Sequence, residues 1–159
     1  MSFTPDAGQP GLEPYALQQR WTLPRPLAPA AWAALFSEYL AGLARRCIHA
    51  GDPASGDAAA AARVVIGHIK LLALFDGEEY LRVSVVSARH GATVTGGAPP
   101  GLSEMPITLN VLVYGLPTRR LAELTAAAAA EVAERWSAAV ENLPLPHHHH
   151  EGTEHADQP

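Results

Sequence analysis

The side chains most able to do chemistry gather in one stretch, Arg63–Arg89, where His68 and Lys70 stand two residues apart among apolar, β-branched neighbours. Lys70 is the only lysine; the other ten of the eleven basic residues are arginines. Arg82 and Ser84 repeat the same two-residue spacing farther along, and Thr108, Asn110 and Tyr114 recur at even steps in a later apolar run. Cations, an imidazole, hydroxyls and an amide on one surface suit an anionic ligand or an acidic segment of a partner protein, because charge-assisted hydrogen bonds are the strong ones. The same face keeps Val64, Ile66, Leu72 and Leu74. Apolar groups interleaved with polar ones favour burial against a partner, or against a second copy, over a plainly wet surface.

Catalysis asks more. A nucleophile needs a positioned base, and a base needs a group to orient it. The candidates are His49, His68 and His90, with Ser84, Ser87 and Thr95 close in sequence, but Asp76, Glu78 and Glu79 fall at a turn and no carboxylate falls within a predicted strand. Nucleophile-elbow, metalloprotease, P-loop and dinucleotide patterns are all missing from the chain. No catalytic residue is therefore assigned, and a small enzyme gripping an anionic substrate with His68, Lys70 and Arg82 ranks third among the readings. Cys47, the single cysteine, can form neither an internal disulfide nor a Cys-pair zinc site, and its place on an apolar helical stripe predicts an inert thiol.

A second cluster ends the chain: His147, His148, His149 and His150, followed by Glu151, Glu154 and His155. Neighbouring imidazoles with carboxylates chelate Zn, Ni or Co, which makes metal binding and delivery by this tail the second reading.

The elements that would position these groups follow from periodicity. Tyr15, Leu17, Gln19, Trp21 and Leu23 alternate with Ala16, Gln18, Arg20 and Thr22, the period of a half-buried strand, and prolines 24, 26 and 29 are expected to stop it. Trp32, Leu35, Phe36, Tyr39, Leu40, Leu43 and Cys47 recur at three- and four-residue steps, predicting a helix over 30–49 that Gly51 ends. The Asp-Gly-Glu-Glu run at 76–79 is the turn of a β-hairpin. A loop of odd length aligns Ile69, Leu71, Ala73 and Phe75 with Leu81, Val83 and Val85, placing Val65 on that inner face; a three-residue, bulge-type turn does this. It leaves His68, Lys70, Arg82 and Ser84 together on the other side. A short strand at 92–95, a Gly/Pro loop and an alternating strand at 106–114 come next. Thr118 then N-caps a helix running to about Leu143, which buries Leu121, Leu124, Ala128, Val132, Trp136, Ala139 and Val140.

The order strand-helix-strand-strand-strand-helix predicts an α+β fold: a two-layer sandwich whose antiparallel sheet of about four strands carries two amphipathic helices on one face. The division is a flexible N-terminal arm at 1–13, a single α+β domain at 14–143 and a His-rich flexible tail at 144–159. With 48% hydrophobic residues in 159, the chain can build a core unaided. A net charge of −5 argues against nucleic acid. No apolar run is long enough to span a membrane, and the polar, turn-rich start lacks a basic leader, so a cytoplasmic location is expected. The first reading is thus a non-enzymatic accessory or assembly subunit that oligomerises or docks onto a larger protein complex through its sheet face and extended termini.

Overall fold

The structure, a computed structural model, describes residues 14–51 and 64–145. Eight elements follow in order: β1 (Tyr15–Leu27), α1 (Pro29–Ala50), β2 (Val65–Leu74), β3 (Tyr80–Val85), β4 (Thr93–Gly96), β5 (Leu102–Tyr114), α2 (Thr118–Trp136) and β6 (Ala139–Leu143). The strands form one antiparallel sheet in the spatial order β4-β3-β2-β5-β1-β6, and both helices pack on it. The fold is α+β as expected, with six strands rather than about four.

Alternation decides which side of the sheet is covered. Leu17, Trp21 and Leu23 of β1, Ile69 and Leu71 of β2, Leu81 and Val83 of β3, and Met105, Leu109 and Val111 of β5 all point inward and are buried. The apolar stripe of α1 meets them over β2 and β3, and α2 lies beside α1 toward β1 and β6. Trp21 anchors the junction, edge-on to Phe36 at 5.7 Å and tilted against Tyr39 at 5.1 Å. Rings in these geometries contribute more than their buried area alone, by about 0.5–1.5 kcal/mol per pair. Ion pairs between the helices, Arg46 with Glu131 and Arg135 with Glu38, fix their outer surfaces.

Four local features differ from the sequence expectations. Strand β1 does not stop at the prolines: it continues to Leu27 past an irregularity after Thr22. Pro24 and Pro26 are tolerated there because β6 pairs only with Gln18–Thr22, so beyond Thr22 one side of β1 has no strand beside it among the described residues. Strand β5 likewise begins at Leu102, ahead of Pro106. Thr118 is the first helical residue of α2 and not its N-cap; Pro117 holds that position, and no side chain caps the helix start.

The largest difference lies at the end of α2. The helix stops at Trp136, Ser137 turns into the left-handed region at φ 54°, and the chain doubles back as the edge strand β6. Ala138 N–H donates to the Ala133 carbonyl at 2.8 Å and Ser137 N–H to the Glu134 carbonyl at 3.3 Å, the paired bonds of a Schellman ending. Ala139 and Val140 therefore belong to a strand beside β1, not to the buried stripe of a helix.

The β2–β3 turn has the predicted odd length. Phe75 N–H donates to the Glu79 carbonyl at 3.0 Å, which leaves Asp76, Gly77 and Glu78 as the loop, with Gly77 at φ 76°.

Candidate functional site: the sheet face opposite the helices

With both helices on one side, the outward residues of the strands make a continuous second face. The three-residue turn sets its register: Lys70 pairs with Ser84 on β3 and with Asn110 on β5, while Leu72 pairs with Arg82 and with Thr108. His68 stands opposite Leu112, and Val65 opposite Tyr114. The structure thus brings His68, Lys70, Arg82, Ser84, Thr108, Asn110 and Tyr114 onto one face of three neighbouring strands. They adjoin without locking together: no hydrogen bond joins any two of these side chains among the described residues.

A bulge in β2 revises the apolar part of this face. The pairing slips between Ile66 and His68, so the inside and outside of the strand exchange at Gly67. Val64 and Ile66, expected outside, pack against the core, and Val65, expected inside, is 47% exposed. Gly67 suits the bulge because a Cβ there would lie 3.0 Å from the Tyr114 ring and 3.2 Å from Leu112. The outward apolar groups are then Val65, Leu72, Leu74, Leu112 and Tyr114, with Leu74 70% exposed and Tyr114 41% exposed.

Two shallow hollows mark the face. One, of about 470 Å³, is lined by Pro14, His68, Lys70, Asn110, Leu112 and Tyr114. Desolvation, and then the positive charge of Lys70, hold the His68 pKa below the usual imidazole value, so at neutral pH His68 is an uncharged donor and acceptor beside the Lys70 ammonium. The other hollow, of about 200 Å³, lies among Gln18, Leu72, Leu74, Pro106, Thr108 and Leu143.

Sequence reasoning missed how far this face extends. Gln18 pairs with both Thr108 and Leu143, which adds β1 and β6 to it. Arg20 lies there too, 2.9 Å from Glu104 and 3.2 Å from Glu141. The alternation of β1 had already separated Ala16, Gln18, Arg20 and Thr22 from the core side; what was missing was the pairing of β1 with β5. The sequence hides Glu141 because the helical period continues through Ser137 without a break.

The remaining reactive groups are dispersed. His49 and His90 are exposed at the end of α1 and in the turn after β3. Ser87 Oγ accepts the Arg89 N–H at 3.1 Å, closing a local turn. Cys47 is fully buried in the core and burial pushes its thiol up to about 11, so it stays protonated and unreactive. Among the described residues no cluster of three or more His, Cys, Asp or Glu could hold a metal ion, and none of the helices is long and apolar enough to cross a membrane. The tail histidines His147–His150 and His155, and the arm 1–13, lie outside the described residues.

Compared with protein-family models, with curated proteins and with solved structures, the chain finds no match in any of the three.

Proposed function

We propose that this protein acts by binding protein: it is a non-enzymatic accessory or assembly subunit whose sheet face opposite the helices docks within a larger complex. One observation carries the reading. A face built from five-strand-wide rows sets exposed Leu74, Val65 and Tyr114 among Lys70, Arg82 and uncharged polar groups, and neither helix covers it. Interfaces set exposed apolar groups among polar ones in this manner, whereas a solvated antiparallel face is polar throughout. For a catalytic reading, His68 would need an orienting carboxylate. Glu104 and Glu141 are instead engaged by Arg20, on the far side of the same face.

Native mass spectrometry of the full chain, drawn gently from its own cells, tests the reading against Leu74→Asp. Leu74 is too exposed for the substitution to disturb the core, yet a carboxylate at the centre of a docked face would be desolvated without a partner. The proposal expects a stoichiometric complex for the unaltered chain and a bare monomer for the variant. A bare monomer in both cases, or an unchanged complex in both, contradicts it.

A further inference from the structure

Charge on the sheet face is segregated, and the segregation is self-complementary. The cations Lys70 and Arg82 sit on β2 and β3, with neutral His68 one outward position beyond Lys70. The carboxylates Glu104 and Glu141 sit on β5 and β6, sharing the single cation Arg20 between them. Asp76, Glu78 and Glu79, at the tip of the β2–β3 hairpin, lie toward the same end of the strands as Glu104, because β5 enters the sheet where β2 leaves it. The cross-strand row that Arg82 opens on β3 continues without charge through Leu72, Thr108, Gln18 and Leu143, with the 200 Å³ hollow and the protruding Leu74 beside it.

Resting on the docking reading above, we infer that the partner on this face is a second copy of the chain. A two-fold axis lying in the plane of the face and running diagonally, from Leu74 on β2 to between Thr108 on β5 and Gln18 on β1, sets Lys70 of each copy toward Glu141 of the other and Arg82 toward Glu104. Two-fold interfaces need this property, since each contact from one patch to another is made twice. An acidic partner of another kind would answer only the cationic end and leave the hollow and the carboxylates unmatched. The size is also sufficient. Every second strand residue faces outward, and each such position covers about 4.8 Å by 7 Å; over the six strands this gives a footprint of roughly 800–900 Å², close to the ~800 Å² per partner of a stable complex.

The test is a charge exchange followed by sedimentation of the full chain. One variant carries Lys70→Glu and Arg82→Glu, the other Glu104→Lys and Glu141→Lys; all four positions are exposed in the single chain, and far-ultraviolet dichroism checks that both variants fold. The unaltered chain is expected to be a dimer at micromolar concentration. Each variant alone should self-associate about 100-fold more weakly or worse, because like charges then face each other. An equimolar mixture should regain a one-to-one dimer, since both sets of contacts become attractive again. Three results overturn the inference: an unaltered chain that is monomeric at high micromolar concentration, a folded variant that remains dimeric, or a mixture that does not associate. If the unaltered chain is monomeric alone, yet forms a complex with another polypeptide that Leu74→Asp abolishes, the second copy is wrong and the docking reading stands. If no complex of any kind forms, both fail.

Discussion

At the scale of single residues, the most consequential side chain apart from the sheet face is Gln19. It is an amide at a core position, 3% exposed, on the inner side of β1. Its Oε1 accepts from the Tyr39 hydroxyl at 3.0 Å and from the Trp21 indole N–H at 3.2 Å, and its Nε2 donates to Asn142 Oδ1 on β6 at 3.1 Å. One amide therefore satisfies two buried donors and ties the last strand to the core. Burial raises the Tyr39 pKa, which keeps the hydroxyl a donor to this amide at all ordinary pH. Gln19→Met should cost about 2–4 kcal/mol, because two buried donors lose their acceptor, whereas Tyr39→Phe should cost only about 1 kcal/mol, because the amide keeps the indole. Urea unfolding of both variants measures the difference; equal costs would mean that Gln19 packs without the hydrogen-bond role assigned to it.

At the scale of elements, local pattern proved a good guide where a single period governs a segment. The alternations of β1, β2, β3 and β5 and the stripe of α1 were legible because each buries every residue on one side against the same core. The hairpin register was legible too, since only an odd loop sets Leu71 opposite Val83. Two features were not. The bulge at Gly67 inverts the strand within a run of apolar residues, so Val64, Val65 and Ile66 offer no contrast by which to see it. The end of α2 is marked by a serine in place of the usual glycine or asparagine, and Ala138–Val140 continue an acceptable helical stripe. Only pairing with β1, a contact more than a hundred residues away in the chain, makes them a strand. The same reasoning yields a prediction. Ser137 bears a Cβ in the left-handed region, which costs about 1–2 kcal/mol, and glycine would relieve this at a smaller entropic cost in the unfolded chain. Ser137→Gly should raise stability by about 0.5–1 kcal/mol in a thermal or urea melt. Destabilisation would show that the Ser137 side chain makes a contribution its backbone conformation does not reveal.

At the scale of the whole molecule, one asymmetry organises the rest. The two helices cover one side of a six-stranded sheet, and the other side mixes apolar with uncharged polar groups at its centre, is cationic toward β2 and β3 and carries its carboxylates toward β5 and β6. From the sequence, three of the strands of this face could be assembled, because the hairpin and the alternation of β5 define them; β1 and β6, and with them the acidic half, required the long-range pairings. The site was thus half legible, and the missing half is the one that makes the face self-complementary.

Lys70 offers the most direct measurement of the central claim, because the only lysine of the chain stands within the proposed interface. Amine-reactive labelling, read by mass spectrometry at Lys70 against an added reference peptide, reports the covering of this face and of no other. The account predicts that Lys70 in the assembled protein labels at least about tenfold more slowly than Lys70 in monomeric Leu74→Asp, as a contact of ordinary interface strength requires. Equal rates in the two forms would show that the face stays open to solvent, and that whatever the protein assembles with binds elsewhere.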